Sequence, residues 1–186
     1  MPGGVRFWLI LLVMLEFPAL SGCGHMPVTS MVRLARVDFQ TTDPARLRVA
    51  VKLPHMLRAR ADGSVLRVAV RLASGREEAR DFALREVSET DVEPGAQAFA
   101  LAAADIVQLR AFRAALMQKQ TGGSGGSLTI SVRPDACRST PLPSGPVLFT
   151  SWLKTAETGG YVALARNVDL RTLDAGQDIA AKIPAC

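Results

Sequence analysis

The stretches "RLRVAVKLP" (residues 46–54) and "VLRVAVRLA" (residues 65–73) decide the fold class of this chain. In each stretch, every second residue is apolar: Leu47, Val49, Val51, Leu53, Leu66, Val68, Val70 and Leu72. Several of the residues between them are arginine or lysine. A period of two places one face of a strand in the core and the other in water, which is typical of an antiparallel sheet. We predict a strand in each stretch, with Asp62-Gly63 as the turn between them.

Weaker alternation predicts further strands at residues 35–39, 79–87, 97–101, 127–132, 148–155 and 161–168. The last two flank Gly159-Gly160 and therefore predict a late hairpin. In this hairpin Trp152 and Tyr161 would face each other, either as part of the core or as a binding platform.

One segment, residues 102–120, has a helical period instead. Its apolar residues recur at spacings of three and four, at Ile106, Leu109, Phe112 and Leu116. This spacing predicts one amphipathic helix. The tract "TGGSGGS" (121–127) ends it and predicts a flexible loop, and "RSTPLPSGP" (138–146) predicts a second loop.

These elements predict a mainly β protein with a single domain over residues 29–186. Antiparallel sheets bury their apolar faces against each other, so we expect a two-layer β-sandwich with an immunoglobulin-like Greek key. The helix around residues 102–120 would cross between the fifth and sixth strands and cap an open end or edge. A small barrel is the alternative architecture.

The N-terminus is typical of an export signal. Arg6 precedes "FWLILLVML" (7–15), an apolar run too short for the roughly 20 residues that a membrane-spanning helix needs. Its length suits the central region of a signal peptide, and Pro18 then interrupts any helix. We therefore predict a signal peptide over residues 1–22.

The next residues, Leu20-Ser21-Gly22-Cys23, resemble the lipobox of bacterial lipoproteins. The resemblance covers residues 1–24 and implies a thioether-linked diacylglycerol on Cys23, cleavage before it, and acylation of its new amino group. Residues 23–28 would form a short tether. The residue after the cysteine is Gly24. By the same resemblance, a residue other than aspartate at this position implies transfer to the outer membrane of a Gram-negative cell, with the domain facing the periplasm. An ordinary secretory signal with an incidental cysteine is the alternative.

Two cysteines remain, Cys137 and Cys186. An even pair in an oxidising compartment predicts a disulfide that ties the last residue to the body of the domain. Free thiols serving a metal or redox site are the alternative, but the spacing matches no such motif.

The chain carries a formal net charge of +5. Basic residues predominate between positions 44 and 72, and acidic residues between 73 and 105. Four strand residues form a possible face for an acidic partner or an anion: Arg48, Lys52, Arg67 and Arg71. Two solvated sheet faces of opposite sign are the alternative. Nucleic acid is not an expected partner outside the cytoplasm.

Catalytic motifs are hard to find in this sequence. It has two histidines and lacks a nucleophile elbow, a His-Glu zinc helix or a phosphate loop. Glu77-Glu78 and the acids at 86–93 could in principle perform acid–base chemistry, as in a carboxylate-dependent hydrolase. We predict no enzyme activity and no cofactor.

A repeated dipeptide raises the question of metal binding. His25-Met26 and His55-Met56 each lie beside a proline, and Met31 is near the first in sequence. Imidazole and thioether groups together suit Cu(I). His25, His55 and Met56 are therefore weak candidate copper ligands. The alternatives are a chance repetition of the dipeptide and packing of Met56 beside Leu57.

The leading functional hypothesis is a lipid-anchored, non-catalytic accessory or assembly module that acts through contacts with an envelope protein. The alternative is a lipoprotein that binds a small ligand, an envelope glycan or copper.

Overall fold

The computed structural model describes residues 27–119, 126–173 and 179–186. The predicted signal peptide, Cys23 and most of the glycine-serine tract lie outside these ranges. The helices are α1 (Val28–Leu34), a 3₁₀ helix (Pro44–Arg46), α2 (Ala103–Lys119), α3 (Leu170–Leu173) and α4 (Ile179–Lys182). The strands are β1 (Arg48–Lys52), β2 (Leu57–Ala59), β3 (Val65–Leu72), β4 (Glu77–Val87), β5 (Gln97–Leu101), β6 (Gly126–Arg133), β7 (Ala136–Arg138), β8 (Leu148–Lys154) and β9 (Val162–Asp169).

Seven strands form one antiparallel sheet in the order β6-β3-β4-β5-β1-β8-β9. The sheet curves until it is nearly closed into a barrel. The prediction of a mainly β, antiparallel fold is thus confirmed. The two-layer sandwich is wrong, because an immunoglobulin-like fold divides its strands between two packed sheets, whereas these seven strands share one.

The sheet bends at the long strand β4. Its first part pairs with β3, up to Ala83 opposite Val65, and its last part pairs with β5, beginning at Leu84 opposite Leu101. A strand that changes its partner in this way turns a corner in a sheet. The alternation along the strands is the same for a corner as for a flat layer, so the sequence pattern did not distinguish the barrel from the sandwich.

The inner face of the curved sheet and one face of α2 form a single hydrophobic core. The predicted apolar positions of the two opening stretches lie in it, and Leu66, Val68 and Val49 are fully buried. On α2, Leu109, Phe112 and Leu116 are buried against the sheet, with the Phe112 ring centroid 6.0 Å from that of Phe82. The predicted helical stripe is therefore confirmed, and it packs against the core residues of the sheet.

A second, two-stranded sheet pairs β2 with β7. The C-terminus joins it, because the Cys186 N–H donates to the carbonyl of Arg138, and the Arg138 N–H donates to that of Pro184. Cys137 and Cys186 are bonded at an S–S distance of 2.08 Å, which confirms the predicted disulfide. Strands of three residues show no measurable period, so the sequence did not predict β2 and β7.

The strand predicted at residues 35–39 is wrong. Helix α1 occupies the chain up to Leu34, and the next residues turn. The Asp38 side chain accepts a bond from the Gln40 N–H, and the Asp38 carbonyl accepts from Thr41 and Thr42. Local bonds of this kind favour a turn over a strand. The predicted turn at Asp62-Gly63 is a bend with Gly63 at a positive φ of 100°, but it joins β2 to β3, and β1 and β3 do not pair.

Candidate functional site

The barrel is open between β6 and β9, and we call this opening the seam. Among the described strands, β6 pairs only with β3 and β9 only with β8. Each neighbouring pair in the sheet is antiparallel, so β6 and β9 run in the same direction. One additional strand, antiparallel to both, is what would complete an antiparallel barrel here. An open edge is also a template for pairing with another chain.

The β6 side of the seam is the more accessible one. Helix α1 packs against β9. Along β6, by contrast, Leu128 is 43% exposed, and Ser127, Thr129 and Ser131 are exposed as well. The edge of β6 therefore presents backbone groups together with polar and apolar side chains to the solvent.

A cavity of about 480 Å³ lies at one end of the seam. This volume is within the range that is typical of ligand pockets, about 300–1,000 Å³. Its lining is mostly apolar. The lining residues come from the end of β6, the following loop and the start of β7, from the residue after β1, from β8 and from the C-terminal helices: Leu53, Val132, Pro134, Phe149, Leu170, Ile179 and Ile183, with Ser131, Arg133, Asp135, Ala136 and Lys182. The last three residues of the β6 edge thus also form one wall of the cavity.

The C-terminal segment forms another wall of the cavity, with Ile179, Lys182 and Ile183. Ile179 is buried against Leu57 and Val147, and Ile183 packs against the same group. The Cys137–Cys186 disulfide then fastens the residues after α4 to β7. The disulfide predicted from the sequence is therefore a support of the cavity wall.

Beside the cavity, positive charge exceeds negative charge. The Asp81 carboxylate bonds two guanidinium groups, Arg67 on β3 and Arg133 on β6, each at 3.0 Å. Asp135 on the cavity wall lies 3.7 Å from Arg60. Two arginines at the edge of the seam thus share one carboxylate, which leaves an excess of positive charge. This excess favours an acidic group on an incoming ligand.

The four predicted basic residues do not form one cluster. Arg67 and Arg71 lie on β3, whereas Arg48 and Lys52 lie on β1, and β4 and β5 separate the two strands. Arg71 is 3.6 Å from Glu77, and Arg48 donates to Glu89 at 3.1 Å. Of the four, Arg67 is the one that reaches the charged edge of the seam.

The predicted acidic cluster at 86–93 packs over the outer face of β1, β8 and β9. Lys154 bonds Glu89 at 2.8 Å and Asp91 at 2.9 Å, and its ammonium group lies 5.3 Å from the Tyr161 ring centroid. These bonds raise the pKa of Lys154, and the bond from Lys154 lowers that of Asp91. The cluster holds the β4–β5 loop on the sheet. Of the other predicted acids, Glu78 lies 3.2 Å from Arg76.

Trp152 and Tyr161 both belong to the packing under this loop. Trp152 is buried with Ala50 and Ala163, and Tyr161 is partly buried against them. Burial, with a smaller contribution from Glu89, raises the pKa of Tyr161 to about 12. The hairpin prediction is confirmed, since β8 and β9 pair with Gly159 at a positive φ of 66° in the turn.

The copper candidates are divided among different places. His25 and Met26 lie outside the described ranges. Met31 is on α1, while His55 and Met56 form the turn between β1 and β2, where Met56 packs beside Leu57. Across the ranges the structure describes, no three or more His, Cys, Asp or Glu side chains are grouped to hold a metal ion.

A second, smaller cavity lies between α2 and residues 40–44, with a volume of about 310 Å³. Arg113 and Arg110 line it. The side chain of Arg113 is buried, donates to the Thr42 carbonyl, and stacks on Phe39. Burial lowers the pKa of Arg113, and nearby carboxylates, first Asp38, oppose this effect. Arg113 is not among the apolar residues of the predicted helical stripe, so the spacing along α2 does not indicate its burial.

Comparison with protein-family models, with curated proteins and with solved structures gives no match for this chain. Within the described part of the chain, no helix has both the length and the apolar character to cross a membrane.

Proposed function

We propose that this chain is a lipid-anchored, non-catalytic accessory or assembly module of a Gram-negative cell envelope. In this proposal, the lipid on Cys23 attaches it to the outer membrane, and the domain faces the periplasm. The lipobox resemblance of residues 20–23 supports the anchor. The seam supports an action through contacts with a partner protein.

The continuity of the β6 edge with the cavity is the observation that carries this proposal. When an extended peptide joins a sheet edge, main-chain hydrogen bonds provide affinity, and pockets for its side chains provide specificity. Here residues 131–133 offer both, because they belong to the open edge and also line the cavity. We therefore assign the seam to an extended segment of the partner with an apolar residue for the cavity.

Charge identifies a second property of that segment. The Arg67–Asp81–Arg133 group has an excess of positive charge at the same edge. An acidic residue near the apolar one would bond Arg133 without displacing the bond between Arg67 and Asp81. The proposed partner segment is thus extended, with one apolar residue and one or more acidic residues.

Two matched variants test the site. Ser131→Trp places a large side chain at the cavity, and Ser127→Trp places the same side chain at the other end of β6, on the same face. After cross-linking in cells that carry the native, tagged chain, we expect one recurrent envelope protein to co-purify with the wild type and with S127W, but not with S131W. Equal recovery with both variants would contradict the assignment of the seam.

The anchor has its own test. Intact mass of the membrane-extracted protein should give a chain that begins at Cys23 with added acyl mass. A chain cleaved elsewhere, without acyl mass, would contradict the proposed localisation.

The cavity favours a second candidate function, the binding of a small apolar ligand. A fluorescent fatty acid with a dansyl group is a suitable probe. Saturable binding at one site per chain that S131W abolishes, without recovery of any protein partner, would favour this candidate over the first.

A further inference from the structure

We infer that the exposed apolar face of α1 lies in the lipid headgroup region of the membrane and orients the barrel on it. This inference rests on the proposed lipid anchor at Cys23. The surface consists of Val28, Met31 and Val32, and we call it the α1 face.

The three residues of the α1 face share one side of the helix. Their spacing of three and four residues brings their side chains together. Val28 is 75% exposed, Met31 47% and Val32 58%. The opposite side of the helix contacts the domain, where Ser30 is buried and Leu34 packs against the main core. The helix therefore uses one side for the domain and leaves an apolar side to the solvent.

The position of Cys23 determines what covers this surface. Val28 is five residues after Cys23, and five fully extended residues reach at most about 18 Å. If the acyl chains of Cys23 are in the bilayer, then α1 cannot move far from its surface. Apolar side chains of a helix that is held at a membrane surface bury themselves at the boundary between headgroups and acyl chains. The membrane is thus the occupant that the chain itself brings to the α1 face.

The same arrangement gives the barrel an orientation. The Arg33 side chain donates to the Thr158 carbonyl at 2.9 Å, so α1 is at the end of the barrel that carries the β8–β9 turn. The seam cavity is at the other end of β9, where Leu170 follows the strand. Eight residues of strand separate the two ends by roughly 26 Å. The cavity would therefore face away from the membrane, towards a partner in the periplasm.

Site-specific fluorescence on the full-length, acylated protein tests this inference. Val32→Cys places a thiol on the α1 face, and Leu148→Cys places one on an exposed apolar residue at the cavity end. Cys137 and Cys186 are bonded to each other, so a thiol-reactive NBD dye labels the introduced cysteine. Both labelled variants are reconstituted into vesicles of phosphatidylethanolamine and phosphatidylglycerol, with and without nitroxide-labelled lipid.

We expect the dye at residue 32 to emit at shorter wavelength than in water and to be quenched by nitroxide lipid, while the dye at residue 148 is unaffected. An acylated protein whose two dyes are both unquenched would overturn the inference and leave the anchor intact. A shorter emission wavelength at residue 32 without quenching would indicate a protein contact, such as a second copy, and would also overturn it. Absence of acyl mass would overturn the anchor and the inference together.

Discussion

The guanidinium group of Arg113 stacks on the ring of Phe39, with its central carbon 4.6 Å from the ring centroid. The residue is only 5% exposed, and two of its nitrogens, Nε and Nη2, have no hydrogen-bond partner among the described residues. The stack and the bond to the Thr42 carbonyl join α2 to the segment that precedes β1. Arg113 is thus a structural link between two elements that are distant in sequence.

Arg113→Ala should therefore lower the free energy of unfolding by about 2–3 kcal/mol, because it removes a buried stack and leaves a void. Arg110→Ala is the control. Its side chain is 60% exposed and 3.4 Å from Asp43, and such surface pairs contribute about 1 kcal/mol or less. Urea denaturation measures both. Equal losses for the two variants would contradict the structural role of Arg113.

Gly63 should tolerate a side chain less well than Gly75. Both have a positive φ, 100° and 80°, which L-residues adopt only with strain. A Cβ on Gly63 would lie 2.5 Å from the Asp135 carboxylate oxygen, whereas Gly75 has nothing within 4 Å. We expect Gly75→Ala to cost about 1 kcal/mol from the backbone alone, and Gly63→Ala to cost distinctly more in the same denaturation assay. A smaller loss for Gly63→Ala would show that Asp135 moves freely, contrary to its ion pair with Arg60.

Removal of the disulfide should loosen the cavity wall. The bond closes a loop with a sequence separation of 49 residues, and removal of such a bond typically costs about 2–5 kcal/mol. In Cys186→Ser, we expect faster hydrogen exchange of the backbone amides of α4 and β7, with little change in β3 and β4. Exchange that increases uniformly over the chain would contradict a local role of the bond.

Low pH should weaken the contact between the segment before β8 and the end of β9, because this contact depends on the carboxylate of Asp169. Its carboxylate accepts from the Val147 N–H at 2.9 Å and the Arg171 N–H at 3.1 Å, and these bonds lower its pKa below the usual 3.8. A depressed pKa contributes stability that is present above the unfolded value and is lost as pH falls through the folded value. Asp169→Asn should be less stable at pH 7 and should lose less stability than the wild type between pH 5 and pH 3.

Thermal unfolding over that pH range measures this effect. Glu93→Gln, a change at an exposed loop residue, is the control and should follow the wild type at every pH. A D169N profile parallel to the wild type would contradict the role of the two backbone bonds.

Periodicity predicted the strands well because successive side chains of a strand point to opposite faces of the sheet, so burial alternates along the sequence itself. The residues 65–72 of β3 and the stripe of α2 occur where the pattern placed them. The closure of the sheet depends instead on the change of partner at Ala83 and Leu84, which involves residues far apart in sequence. The burial of Arg113 depends on the turn at residues 38–42, for which the helix pattern holds no information.

Most of the candidate site could not be predicted from the sequence, because it also depends on contacts between residues far apart in the chain. The disulfide was predicted from cysteine count and compartment, but its place beside the cavity follows from the pairing of β2 with β7. The basic positions were also evident, yet the strand order separates Arg48 and Lys52 from Arg67 and Arg71. The seam itself is a property of the strand order alone.

Site-specific photo-cross-linking at the β6 edge tests the central claim most directly. A photoreactive phenylalanine analogue replaces Thr129 on β6 in one strain and Ala83 in another. Both positions are exposed, but Ala83 on β4 already has partners on both sides, because Val65 of β3 lies opposite it and its carbonyl accepts from the Ala102 N–H. We predict that illumination of intact cells joins position 129, and not position 83, to one envelope protein, through a segment with apolar and acidic residues. Cross-linking at neither position, or equally at both, would contradict a partner strand at the seam.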